Sequence, residues 1–438
     1  MRRLVPILLA LLALTARAQA PRSTPGPAAA LAPGTDTAAE GAFGLSDSTQ
    51  VSLLTMMPGE QAYSLFGHSA IRIRDAAAGL DRTYNFGTFD FDQPYFVLRF
   101  LRGSLDYQLA TAPYEWVLED YRMQGRPIIE QTLALGPATA HALYDVLETN
   151  ALPENRSYRY DFFFDNCSTR LLGAIDSALA RTASGAASRV TLPPKESRVT
   201  FRELIFPYVR GNPPVHLGTD LALGIPTDDV ASPREETFLP LELAAQLDRA
   251  TVGGRPLVAR RDTVFWLPEA GLPEEAFPWP LLLGWILFAG TAIWTALSWT
   301  KGPDARLLDA LLFGTVGLAG TILLLLWLAT THTVTGPNLN VLWAWPTHLI
   351  AAFAIARRRT GTFWAAYFGL TVVVTAATAA FWSGLPQVLP AAALPIALVL
   401  VLRGAVRAAA TFAPHRFRPT PRPSSRPATP ARRTAATP

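Results

Sequence analysis

Around its single cysteine the chain reads Tyr160-Asp161-Phe162-Phe163-Phe164-Asp165-Asn166-Cys167-Ser168-Thr169-Arg170. The aromatic run predicts a buried strand, and the apolar spacing after it predicts a helix. Because Asn166 or Asp165 is a natural N-cap, Cys167 is predicted to lie in the first helical turn. Free N–H groups and the positive end of the helix dipole would favour a thiolate there. The alternative is a buried structural cysteine.

A thiol nucleophile needs a neighbouring imidazole that accepts and returns its proton. The chain has six histidines, and His68 is set apart by a preceding glycine and by the strand-like sequence that follows it. His141 lies in a helix of surface type and His216 in a loop, and the others belong to the apolar C-terminal part or the tail. We therefore predict that His68 is the base for Cys167, with a purely structural histidine as the alternative.

A third residue is expected to orient the imidazole. Asn85, in Arg82-Thr83-Tyr84-Asn85-Phe86-Gly87, lies on the next predicted strand and is our candidate for this orienting role. Asp90, Asp92 and Asp165 compete with it, and an asparagine at such a place can also be a simple turn former.

Strand-like and helix-like segments alternate irregularly between residues 45 and 265. This order favours an α+β domain, in which an antiparallel sheet packs against helices. The predicted strands are Val51–Met57, Ser69–Arg74, Thr83–Phe91, Ile128–Leu135 and Tyr158–Phe164, and the predicted helices are Pro94–Leu101, Pro137–Asn150 and Ser168–Arg181.

Composition excludes several classes of protein. Of the 438 residues, 50% are hydrophobic and 16% charged, which excludes a disordered chain. With one cysteine the chain can form no internal disulfide. Beyond Pro280 there are two acidic and 13 basic residues, so the high isoelectric point comes from this region and does not indicate nucleic-acid binding. No spacing typical of metal ligands or of a phosphate-binding loop occurs, so neither a metal nor a cofactor is predicted.

The C-terminal part has the composition of a membrane domain. Five apolar stretches each approach the length of a spanning helix: Pro280–Trp299, Leu307–Thr330, Leu339–Ala356, Phe363–Trp382 and Leu385–Leu402. If the preceding domain lies outside the cytoplasm, every basic cluster falls on the cytoplasmic side, as the positive-inside rule requires.

The predicted organisation has five parts. Residues 1–20 are a cleavable signal peptide with an Ala18-Gln19-Ala20 cleavage site, and residues 21–44 are a flexible tether. Residues 45–270 form the extracytoplasmic thiol domain and residues 279–403 the five-helix transmembrane domain. Residues 404–438 form a disordered Arg/Pro-rich cytoplasmic tail. The expected location is the inner (cytoplasmic) membrane, with the thiol domain on the periplasmic side.

Three motifs together resemble the Lnb-type lipoprotein N-acyltransferases of bacteria. They are Phe66-Gly67-His68-Ser69, Tyr84-Asn85-Phe86-Gly87-Thr88-Phe89-Asp90-Phe91 and Phe164-Asp165-Asn166-Cys167-Ser168-Thr169-Arg170. Residues 336–346, Gly-Pro-Asn-Leu-Asn-Val-Leu-Trp-Ala-Trp-Pro, look like the membrane signature of that family. More distantly, a histidine before a cysteine that opens a helix resembles the circularly permuted papain-like fold.

The resemblance implies a reaction and a set of substrates. Cys167 would take a fatty acyl chain from a phospholipid as a thioester and pass it to the N-terminal diacylglyceryl-cysteine of a lipoprotein. Asn166 and Arg170 are candidate substrate-binding residues; Arg72 and Arg74 are alternatives for the donor phosphate. No cofactor is implied.

Other functions remain open from the sequence, among them phospholipase or thioesterase action. A papain-like cysteine amidase or peptidase acting on cell-wall peptides would use the same pair, although it would not need a membrane domain. A non-enzymatic membrane-anchored binding protein would leave Cys167 and His68 structural.

Overall fold

The computed structural model describes residues 44–89, 94–194, 198–267, 271–298 and 305–412. The predicted signal peptide, nearly all of the tether, the tail beyond residue 412, and Asp90 and Asp92 lie outside these ranges. The described chain divides into two compact units. We call residues 44–216, 223–276 and 326–337 the sheet domain, and residues 217–222, 277–325 and 338–412 the helical domain.

The sheet domain is built on seven antiparallel strands in the order β6-β4-β3-β2-β1-β5-β9. A separate two-stranded ribbon pairs β7 with β8. The strands are β1 (Gln50–Met56), β2 (His68–Asp75), β3 (Leu80–Thr88), β4 (Asp106–Pro113), β5 (Ile128–Leu133), β6 (Ser157–Arg159), β7 (Thr251–Val252), β8 (Arg255–Pro256) and β9 (Val258–Phe265).

The helices up to residue 249 are α1 (Phe96–Arg102), α2 (Tyr114–Met123), α3 (Pro137–Ala151), α4 (Cys167–Thr182), α5 (Phe201–Val209), α6 (Pro213–Ala222), α7 (Pro233–Glu236) and α8 (Pro240–Arg249). Of these, α3, α4 and α8 pack on one face of the sheet, and α2 packs on the other.

Alternation along the central strands explains the two-sided packing. In β1, Leu53 packs with α3 and α4 in one core cluster, whereas its neighbour Leu54 packs with α2 in another. Successive side chains of a strand point to opposite faces, so a strand that is apolar at both positions needs cover on both sides. Both helical layers therefore follow from the apolar composition of the inner strands.

The predicted α+β class is confirmed, but one predicted strand is wrong. The strand predicted over Tyr158–Phe164 is reduced to the three residues of β6. Beyond it the chain folds into a tight turn, in which the backbones of Asp161 and Asp165 exchange two hydrogen bonds of 3.0 Å. Asp161 stabilises the turn by accepting the N–H groups of Phe163 and Phe164. This turn delivers the chain to the start of α4.

The helical domain differs from the five predicted spans in its third segment. Its helices are α9 (Trp279–Ser298), α10 (Arg306–Ala329), α11 (His348–Ala356), α12 (Thr362–Ala380) and α13 (Leu394–Phe412). In the described ranges, four helices are long and apolar enough to span a bilayer. The third predicted stretch is instead a 3-10 turn (Leu339–Leu342) followed by the nine residues of α11. Pro346 lies between them, and proline cannot donate an intrahelical hydrogen bond.

The last helix continues past the boundary predicted for the tail. It reaches Phe412, and Arg403 is fully buried in the helical domain. Its guanidinium binds both oxygens of the equally buried Asp309, at 2.6 and 3.0 Å, and donates to the hydroxyl of Thr295 at 2.9 Å. Arg407 contacts the same carboxylate at 2.5 Å. Two arginines assigned to the cytoplasmic side thus neutralise a buried acid, which explains how Asp309 is accommodated.

Candidate active site

Asn166 determines where the helix that carries Cys167 begins. Its side-chain oxygen accepts the N–H groups of Ser168 at 2.9 Å and Thr169 at 3.0 Å, and the Thr169 hydroxyl accepts the N–H of Asn166. This reciprocal pair is a capping box. The Asn166 amide also donates to the carbonyls of Phe162 and Phe238, so its hydrogen-bonding groups are all used inside the protein. These contacts make Asn166 a positioning residue, and its role toward a substrate stays a prediction.

The Cys167 thiol is buried at the start of α4. Burial raises its pKa, because a thiolate loses solvation there. The backbone N–H groups of Ser69, Ser168 and Cys167 point at the sulfur and partly oppose this increase. The helix N-terminus does favour the thiolate, as predicted, but desolvation is the larger effect. The resting side chain is therefore a thiol.

His68 begins β2 and pairs with Met56 of β1. Burial lowers its pKa to about 4, and the positive charge of Arg126 acts in the same direction. A side-chain hydrogen bond with Asn85 raises the pKa and opposes both effects. At neutral pH the imidazole is therefore uncharged and able to accept a proton.

Gly87 lies between the two candidate catalytic residues. It is the extra residue of a β-bulge, where the pairing of β3 with β4 shifts register between Phe86 and Thr88, and its φ is +92°. A Cβ atom built on Gly87 would lie 3.7 Å from Cβ of Cys167 and 3.8 Å from Cε1 of His68. Cys167 and His68 therefore face one small space that the absent side chain leaves open.

A buried contact missed by the sequence analysis links the two elements. The hydroxyls of Ser69 and Ser168, each directly after a candidate catalytic residue, lie 3.1 Å apart and are fully buried. This hydrogen bond joins β2 to α4 across 99 residues of chain. The sequence did contain a sign of this contact, because a serine directly follows each of the two candidate catalytic residues.

Among the residues considered for orienting His68, Asn85 is the one that lies beside the imidazole in the described structure. Asn85 is buried on β3, and in the described ranges its Nδ2 group has no hydrogen-bond partner. Asp165 is instead paired with Arg170. The orienting role of Asn85 agrees with this placement and stays a prediction.

Arg170 is held close to the site by its own contacts. Its guanidinium binds both oxygens of Asp165, at 2.6 and 2.8 Å, and lies 3.6 Å above the ring of Tyr158. It also borders an open hollow of about 340 Å³ that includes Phe86 and Phe164. Its contact with a substrate stays a prediction. Arg72, the alternative, is paired with Asp81 and Glu130.

Arg126 is a second cation that the sequence did not single out. It is buried, donates to the carbonyl of Met57 at 2.9 Å and to Gln124 at 3.1 Å, and lies over the ring of Tyr121 at 4.8 Å. Within the part of the chain that the structure describes, its Nη2 group has no hydrogen-bond partner. Nothing in the local sequence shows that this loop residue lies near His68.

In the described ranges, no group of three or more histidine, cysteine or acidic residues could hold a metal ion.

The two pKa shifts predict how the reactivity of Cys167 depends on pH. With a raised thiol pKa and an uncharged imidazole, thiolate forms only by loss of the thiol proton to solvent. Alkylation of Cys167 by iodoacetamide, followed by intact mass, should therefore accelerate about tenfold per pH unit between about pH 6 and 8. The His68→Gln variant should give the same slope. A rate that is constant over this interval in the wild type would instead indicate a thiolate–imidazolium pair and contradict the prediction.

Two family models match the chain. Residues 43–204 match the Lnb N-terminal periplasmic domain, and residues 273–413 match the Lnb transmembrane domain. Together they cover well over half of the 438 residues. Comparisons with curated proteins and with solved structures gave no significant match.

Proposed function

Since the chain belongs to the Lnb-type lipoprotein N-acyltransferases, we propose that it moves a fatty acyl chain from a phospholipid to the N-terminal diacylglyceryl-cysteine of lipoproteins, through a thioester on Cys167. The observation that carries the mechanism is the position of Cys167 and His68 around the space beside Gly87. A nucleophile and a base that face a common space are what acyl transfer requires.

In the first half-reaction, Cys167 attacks the ester carbonyl of the donor. His68 accepts the thiol proton as the carbon–sulfur bond forms, so no free thiolate has to exist beforehand. When the tetrahedral intermediate collapses, the bond to the glycerol oxygen breaks and His68 returns the proton to that oxygen. A lysophospholipid leaves, and an acyl-enzyme thioester remains. The uncharged imidazole suits this order of events because it is ready to accept a proton.

In the second half-reaction, the α-amine of the diacylglyceryl-cysteine attacks the thioester carbonyl. The carbon–nitrogen bond forms, the carbon–sulfur bond breaks, and His68 carries the amine proton to the sulfur. The products are an N-acylated lipoprotein and the starting Cys167 thiol. A thioester is more reactive toward an amine than the oxygen ester from which it came. Forming the thioester therefore makes transfer to the amine easier.

The membrane domain has a direct role in this scheme. Donor and acceptor are both anchored in a bilayer, so an enzyme that joins them has to work at the membrane surface. We propose a cleaved signal peptide, a catalytic domain on the periplasmic side and a C-terminal tail in the cytoplasm. The basic residues beyond Pro280 support this orientation through the positive-inside rule.

Mass spectrometry of a lipoprotein N-terminal peptide tests the proposal. Cells that lack their own N-acyltransferase would carry either this chain or an empty vector, with membrane abundance checked by immunoblot. The expected result is a mass gain of one acyl chain only when the chain is present. No gain with a correctly inserted protein would refute the proposed function, and an assay on cell-wall peptides would then examine the amidase alternative.

A further inference from the structure

Tyr158 carries a buried hydroxyl that has no hydrogen-bond partner among the residues that the structure describes. The side chain lies on the short edge strand β6 and is 8% exposed, and its oxygen is fully covered. Leaving a buried hydroxyl without a partner is unfavourable, so such groups in native proteins call for an explanation. A bound molecule that accepts this hydrogen bond would supply one.

The hydroxyl of Tyr158 faces the same space as the catalytic pair. It lies 3.9 Å from the position of a Cβ atom on Gly87, the position that Cβ of Cys167 and Cε1 of His68 approach within 3.7 and 3.8 Å. The side chains of the proposed nucleophile and base and the hydroxyl of Tyr158 therefore surround one unfilled spot. The spot is unoccupied because the bulge residue, Gly87, has no side chain.

The phenol is held in place and keeps its proton. The guanidinium of Arg170 lies over its ring at 3.6 Å, and Phe86 meets the ring edge-on at 6.0 Å. Burial, reinforced by the nearby Cys167, raises the pKa of Tyr158 well above its usual value. The group is thus a fixed, neutral O–H donor at physiological pH.

We propose that the hydroxyl of Tyr158 donates a hydrogen bond to the oxyanion of the tetrahedral intermediates formed at Cys167. As the sulfur attacks, the π electrons of the carbonyl move onto its oxygen, and the O–H of Tyr158 stabilises the negative charge without giving up its proton. The same oxygen recovers its double bond when the leaving group departs. Donors that are already in position for a developing charge make large contributions to acyl transfer. This role rests on the proposed acylation of Cys167.

Tyr158→Phe removes one oxygen and keeps the ring, so it tests this role directly. The matched control is Tyr107→Phe on β4, since Tyr107 is the register partner of Tyr158. In the detergent-solubilised full chain, acylation of Cys167 by a short-chain p-nitrophenyl ester is followed by intact mass, with Cys167→Ala as background. We expect Tyr158→Phe to slow acylation about 10- to 100-fold, and Tyr107→Phe to leave it within about twofold of wild type.

Alkylation by iodoacetamide separates an oxyanion role from a structural one. This displacement at a saturated carbon forms no oxyanion, so Tyr158→Phe should alkylate Cys167 at the wild-type rate within about twofold. Unchanged acylation in Tyr158→Phe, or an equal loss of acylation and alkylation, would overturn the proposal.

The assay also separates this proposal from the proposed function. If Cys167 is acylated with the expected dependence on Tyr158 while lipoproteins gain no acyl chain, the oxyanion role stands and the proposed function fails. If the wild-type Cys167 accepts no acyl group from the ester, the oxyanion role is overturned, whatever the lipoprotein assay shows.

Discussion

Replacement of Cys167 by serine should reduce lipoprotein N-acylation by at least about a thousandfold. The serine hydroxyl is nearly isosteric with the thiol, so the capped start of α4 should be preserved. A serine hydroxyl is far less acidic than a thiol, and the uncharged His68, with its pKa lowered to about 4, is a weak base for it. The measurement is the fraction of N-acylated lipoprotein peptide, at matched membrane abundance.

A control for this change is Arg181→Lys in the last turn of the same helix. Arg181 is exposed and lysine keeps its charge, so this change should leave acylation unchanged. Wild-type acylation by Cys167→Ser, at normal abundance, would exclude the thioester mechanism.

Replacement of His68 by glutamine should reduce acylation of Cys167 about 10²- to 10⁴-fold. Glutamine can still hydrogen bond, but it cannot accept and return a proton. The defect should be specific to reactions that need the base. Alkylation of Cys167 by iodoacetamide does not need the base, so at each pH it should proceed within about threefold of the wild-type rate. An equal loss of alkylation would mean that the substitution has disrupted the site.

Asn85→Leu separates orientation of His68 from proton transfer. Leucine has a similar size but cannot bond to the imidazole, so we expect a smaller loss, on the order of tenfold, with His68 still present. A loss as large as that in His68→Gln would place Asn85 in the catalytic machinery itself. Wild-type acylation would remove it from any catalytic role.

Local sequence rules succeeded where the interactions are local. The N-cap at Asn166 and the helix that follows it were predictable, because both depend on neighbouring residues and on apolar spacing. The proximity of Cys167 and His68 was also predictable, since few residue types can perform the proposed chemistry and only six histidines were available. The strand predicted across Phe162–Phe164 was wrong because Asp161 offers the backbone a competing turn.

Two features of the C-terminal part could not be predicted from local patterns. The third apolar stretch has the hydropathy of a span, but the proline inside it interrupts helical hydrogen bonding and leaves only a short helix. Charge counting places Arg403 on the cytoplasmic side but does not reveal that it pairs with Asp309, which is 94 residues away in the chain. Such a pairing leaves no trace in the composition of either segment.

By itself, the sequence determined the α+β class and the apolar membrane part, because these depend on periodicity and composition. Residue chemistry also singled out Cys167 and His68 as the proposed nucleophile and base. The tertiary structure alone decided the protonation state of the Cys167–His68 pair. Burial outweighs the local preference of a helix N-terminus for a thiolate at Cys167, and burial together with the charge of Arg126 keeps His68 uncharged. It also decided which donor faces the reaction space, since Tyr158 approaches Gly87 only when β6 and the bulge of β3 fold beside β4. Desolvation and electrostatic effects act through space, and their strength depends on distances that the order of residues does not contain.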